Sequence, residues 1–115
     1  MTVSYVEYTY GYDTVFMPFD TVITNNHPLS LSPNIVYNFG SVSGTLSIPQ
    51  LATEGSYCNW LIIFNASGNV IFYSTTPLIW QNGEEISPES GHHYEVSINY
   101  DGNNYYATYM DFYSD

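Results

Sequence analysis

Between His93 and Tyr100 every second residue is apolar, with Tyr94, Val96, Ile98 and Tyr100 alternating against His93, Glu95, Ser97 and Asn99. A period of two belongs to an extended strand, whose successive side chains point to opposite faces, so this segment reads as a half-buried strand. Asp101-Gly102 follows at once, with Asn103-Asn104 behind it. Asp-Gly between alternating runs signals a hairpin, because both residues tolerate positive φ, and the partner strand is then Tyr105 to Phe112. Val42, Gly44, Leu46 and Ile48 alternate in the same way against Ser41, Ser43, Thr45 and Ser47, ending at Pro49. Ile35, Tyr37 and Phe39 come before them, after Ser32-Pro33-Asn34. Trp60 to Phe64 is apolar on both faces, which suits a central strand, and Ala66-Ser67-Gly68-Asn69 is expected to turn it into Val70 to Tyr73 as a hairpin. Prolines 18, 28, 33, 49, 77 and 88 are read as punctuation between runs, and their spacing argues against helices.

This pattern predicts an all-β fold: a single antiparallel β-sandwich, immunoglobulin-like, of about eight short strands, with a small β-barrel as the alternative. One domain is expected over residues 1–115, the length falling near the common domain size. Residues 1–12 form either an edge strand or an arm that pairs with a neighbouring subunit. Hydrophobic residues make up 44% of the chain and charged ones 10%, too apolar a balance for a disordered acidic tail.

The charge is one-sided. No residue is Lys or Arg and 11 are Asp or Glu, giving a formal net charge of −11. Such a chain has no side chain to clamp a phosphate, so nucleic-acid binding, phosphoryl transfer and Schiff-base lysine chemistry are excluded as expectations. It also offers trypsin no cleavage site. Self-repulsion among the carboxylates is expected to weaken the fold at neutral pH and low salt. The longest apolar run, Trp60 to Phe64, is too short to span a bilayer, and no basic segment opens the chain, so neither a membrane contact nor an export signal is expected. Cys58, the single cysteine, reads as a buried reduced thiol.

Thirteen tyrosines among many Ser, Asn and Gly residues make a composition suited to contact surfaces, where Tyr supplies rigid area and small polar residues adapt. The excess lies at both ends. Tyr5, Tyr8, Tyr10, Tyr12, Tyr105, Tyr109 and Tyr113 are the candidate protein-contact residues, with Tyr106 among the same group. Strand packing alone would also favour tyrosine. Residues 82–93 collect Glu84, Glu85, Glu89, His92 and His93, but their spacing matches neither an EF-hand loop nor a zinc pair, and a solvated acidic loop is the expectation. No catalytic residue, metal or cofactor is assigned, and an enzyme is not expected.

Pro33 to Gly40, a small-residue strand ending Leu46-Ser47-Ile48, then Leu61 to Phe64, Ile79-Trp80-Gln81-Asn82-Gly83 and Tyr94-Glu95-Val96-Ser97-Ile98 together resemble a family of modules. These are the small β-sandwich domains of tailed-phage virion proteins, of the head-fibre or capsid-decoration type or the tail-fibre or baseplate type. The resemblance covers about residues 33–100. It implies a non-enzymatic structural or assembly protein on the exterior of a virion, contacting other virion proteins or copies of itself, with Trp80 and Tyr94 as core anchors. The absence of a fibre shaft favours a capsid decoration or a small adaptor. Two other readings come from different classes. One is a carbohydrate-binding module that meets a bacterial surface glycan through exposed aromatic rings and Asn or Asp side chains. The other is an extracellular appendage subunit whose strand Val3 to Tyr10 completes a neighbour's sheet.

Overall fold

A computed structural model describes residues 3–8, 15–21, 30–53, 55 and 57–113. Nine strands follow one another among them: β1 (Val3–Tyr8), β2 (Val15–Thr21), β3 (Ser30–Leu31), β4 (Val36–Ile48), β5 (Gln50–Leu51), β6 (Cys58–Ser74), β7 (Ile79–Trp80), β8 (His93–Tyr100) and β9 (Tyr105–Phe112). A 3-10 turn, Gln81–Gly83, is the only helical element of the described residues. The all-β expectation is therefore met. The main sheet runs β1-β2-β4-β6-β8-β9-β7, and β3 with β5 forms a small second sheet.

The pairing corrects the purely antiparallel arrangement. β2 with β4, β4 with β6, β3 with β5 and β7 with β9 are parallel, while β1 with β2, β6 with β8 and β8 with β9 are antiparallel. Parallel neighbours need a crossover rather than a tight turn, and β5 lies in the connection between β4 and β6. Two of the strands are also long, at 13 and 17 residues.

Those two strands make the corner of the fold. Phe64 and Phe72 belong to the same strand, eight positions apart, and would lie about 26 Å from one another if β6 were straight. Their ring centroids are 6.2 Å apart and stacked. β6 therefore doubles over between them, at the Ala66–Asn69 segment expected to close a hairpin. It does not close one, because the halves on either side pair with β4 and not with each other. β4 bends alongside. It uses Phe39 and Gly40 where β6 uses Phe64 alone, and β6 then uses Ser67, Gly68 and Asn69 where β4 uses Ser43 alone. Gly40 and Gly44 take φ of 69° and 81°, a left-handed backbone that residues with a Cβ adopt at a cost. Strands that change layer through bulges are how orthogonal sandwiches turn their corners.

The core lies inside this fold-over. Tyr37, Phe39, Trp60, Ile62 and Phe64 come from the first halves of the bent strands, Leu46, Ile48, Val70 and Phe72 from the second halves, and Tyr94, Val96 and Ile98 from β8. Trp60 is held in register by its indole N–H, which donates to the Leu31 carbonyl at 3.1 Å. The opposite face of β6 carries a separate small cluster, Val36, Leu61 and Ile63. That second burial explains why Trp60 to Phe64 is apolar on both faces, as a strand covered on both sides of its sheet requires.

The β8–β9 hairpin has the predicted strands, but its turn works differently. Of Asp101 and Gly102 only Gly102 has positive φ, at 96°. Asp101 acts through its carboxylate, whose Oδ1 accepts from the N–H groups of Asn103 at 2.9 Å and Asn104 at 2.8 Å. Those bonds, Asn104 foremost, hold the Asp101 carboxyl below the ordinary aspartate pKa. Pro18 departs from the expectation too, since it lies inside β2, opposite Tyr5. There β2 has not yet met β4, whose ladder begins at Phe19, so the missing N–H falls where pairing is one-sided among the described residues.

Candidate functional site

Alternation sorts the residues of β9. Tyr105, Ala107 and Tyr109 turn toward the core, while Tyr106, Met110 and Phe112 stand exposed on the outer face. Tyr105 and Tyr109, two of the candidate contact residues, are therefore packing residues first. Tyr105 is half-buried, with its ring 4.6 Å from Tyr100 and 5.9 Å from Trp60. Burial pushes its hydroxyl pKa up, with Tyr100 and Cys58 adding to the effect. Tyr109 sits between Trp80 at 6.2 Å and Tyr94 at 6.4 Å. Tyr113 keeps 60% of its surface exposed. Tyr5 and Tyr8 lie in β1, in register with Pro18 and Val15, and Tyr10 and Tyr12 fall outside the described residues.

At the far end of β9 the hairpin register brings His92 and Tyr113 together, their rings stacked with centroids 4.4 Å apart. His92 Nδ1 lies 2.6 Å from Asp111 Oδ1, and its Nε2 lies 3.3 Å from Glu89 Oε2. Beneath them Tyr94 is buried, and its hydroxyl accepts the Glu89 N–H at 2.8 Å. Burial raises the Tyr94 pKa, and the neighbouring carboxylates of Asp111 and Glu89 add to it against the lowering bond from the Glu89 backbone. This cluster straps the acidic loop onto the end of β9. His93 points to the outer face, 2.8 Å from Asn65 Oδ1 and 3.0 Å from Glu95 Oε2. Along the adjoining outer edge of β9, Met110 and Phe112 are each 49% exposed, opposite Glu95 and His93.

The acidic loop itself is spread out. Glu84, Glu85 and Glu89 are exposed, and no three His, Cys, Asp or Glu side chains converge as a metal site among the described residues. Cys58 is buried and pairs in register with Tyr100, the opposite end of β8 from His93, about 23 Å away along the strand. The thiol and the imidazoles of His92 and His93 thus sit at opposite ends of β8.

A trough opens where β7 meets β9. Its first part, about 370 Å³, is lined by Ile79, Trp80, Gln81, Asn99, Tyr106, Ala107 and Thr108. The second, about 260 Å³, is lined by Gln81, Asn82, Glu84, Thr108, Tyr109 and Asp111. Gln81 and Thr108 border both, and the Thr108 hydroxyl bonds Gln81 Oε1 at 2.8 Å to form the saddle between them. No protein-family model, curated protein or solved structure matches this chain. The site must be read from its own chemistry.

Sequence reasoning missed Ile79, Gln81 and Asn99 as lining residues. Asn99 was legible in principle, because the Asp101-Gly102 hairpin sets it opposite Tyr106. Ile79 and Gln81 were not, since β7 is two residues long and its parallel pairing with β9 leaves no periodic trace. What the trough offers chemically is one exposed ring, several amides and two carboxylates, with neither a cation nor a nucleophile activated beside a base.

Proposed function

We propose that this chain is a non-enzymatic structural protein on the exterior of a tailed-phage virion, joining other virion proteins or copies of itself through the C-terminal end of β9. The observation that carries this reading is the outer-face pair Met110 and Phe112, each 49% exposed, with Tyr113, 60% exposed, beside them at the strand end where it stacks on His92. Large apolar and aromatic side chains concentrated at one exposed place mark contact surfaces, while scattered ones do not. The all-β fold suits the virion modules that residues 33–100 resemble, and a chain without Lys or Arg suits a particle's outer face better than one against packaged DNA.

Antibody raised against this chain and applied to intact tailed particles tests the location. Gold label on undisrupted particles supports the reading, and label seen only after disruption, or none, opposes it. Light scattering on the purified chain tests self-contact. A defined oligomer that dissociates in the M110S/F112S/Y113S variant would assign these side chains to copies of the chain. An unchanged monomer would leave them to another virion protein.

A further inference from the structure

We propose that the trough between β7, the 3-10 turn and β9 binds a neutral saccharide. The register sets Asn99, Tyr106 and Ile79 side by side across three strands, on the outer face of the sheet. Tyr106 is 43% and Ile79 48% exposed, so a flat ring and an aliphatic flank face solvent next to an amide. A sugar ring has one face of C–H groups, which covers an aromatic ring, and a rim of hydroxyls that need partners. Asn99 stands at one end of that platform, and Gln81 and Asn82 at the other.

Amides both donate and accept, as hydroxyls do, which matches the trough to a polyol better than to any ion. Glu84 and Asp111 add acceptors at the far end, where they would take hydroxyl hydrogens. Those carboxylates, in a chain without Lys or Arg, repel phosphorylated, sulfated and sialylated ligands. A wholly apolar ligand would strip water from Asn82, Asn99 and Glu84 and give nothing back. A basic peptide would satisfy the carboxylates but leave the amide donors facing its cations. Asn82, which lines the second depression, also holds a left-handed backbone, φ 58° and ψ 17°.

The test begins with the labelled full chain on an array of neutral, sialylated and sulfated glycans. The strongest neutral oligosaccharide is then titrated by NMR into the wild type, Y106A, Y106F and N99A, each first checked for an unchanged melting temperature. Binding should move the amides of Tyr106 and Thr108, weaken about tenfold or more in Y106A and N99A, and persist in Y106F, which keeps the ring. If Y106A fails to fold, N99A and the wild-type shift map decide. No neutral glycan bound, equal binding of sulfated glycans, competition by a lysine-rich peptide, or affinity indifferent to both alanine variants would overturn the proposal. The M110S/F112S/Y113S variant should bind the sugar as the wild type does, which separates this site from the assembly contact.

Discussion

Tyr94 does three things at once. Its ring fills the core against Phe64 at 5.3 Å, its hydroxyl accepts a backbone N–H from the acidic loop, and its ring also stacks with His92 at 5.9 Å. Tyr94→Phe keeps the ring and orphans the Glu89 N–H, so it should cost about 1 kcal/mol in denaturant unfolding. The pH response has a definite sign. A tyrosine whose folded pKa is raised stabilises the fold fully below its unfolded value and loses that contribution as pH rises through the folded one. The wild type should therefore lose more melting temperature than Y94F between about pH 9 and about pH 11. Equal losses would mean that the hydroxyl titrates alike in both states. Asp101 has the opposite sign, because its folded pKa is lowered by the Asn104 and Asn103 N–H groups. Its contribution is present above the unfolded aspartate pKa and disappears as pH falls through the folded one. The advantage of wild type over D101N should accordingly vanish in acid, which a melting series resolves.

At the level of elements, the bent pair β4 and β6 separates two causes of glycine usage. A Cβ on Gly44 would meet nothing within 4 Å, so Gly44→Ala tests backbone strain alone and should cost about 1–2 kcal/mol. A Cβ on Gly68 would meet the Ser43 Cβ at 3.2 Å, in a backbone that needs no positive φ. Ser43→Gly should therefore rescue G68A and leave G44A unrescued, as a double-mutant cycle would show. The alternation around Gly44 gave no hint of the bend, because a glycine at an apolar parity looks like a small core residue. Local signals revealed what is local: the β8–β9 hairpin, the inward Tyr94, Val96 and Ile98, and a central strand at Trp60 to Phe64. Parallel register is set by contacts far apart in sequence and leaves no local mark, so the β4/β6 and β7/β9 pairings, and with them the trough, stayed hidden. The tyrosines show the same division. Their strand placement was readable, but whether Tyr105 or Tyr106 faced solvent depended on which parity met Trp60.

For the whole molecule, the carboxylates must be tolerated without cations other than histidine. Among the described residues every close contact between a carboxylate and a basic side chain involves His92 or His93. Raising NaCl to about 0.5 M should raise the melting temperature, since screening reduces repulsion and has few attractions to weaken. A falling melting temperature would show that the histidine–carboxylate contacts outweigh the net charge. Phe72 closes the second layer onto the first, and Phe72→Ala should cost about 3–5 kcal/mol by leaving a cavity against Phe64 and Trp80. The ladder between β4 and β6 is continued on both sides of the bend, from Val36 against Leu61 to Ile48 against Ser74. Each layer thus shares its covalent strands with the other, and a pull on one cannot peel it away without shearing the ribbon lengthwise. The corner makes the two layers one covalent unit, so a load applied to either is carried into the other along β4 and β6.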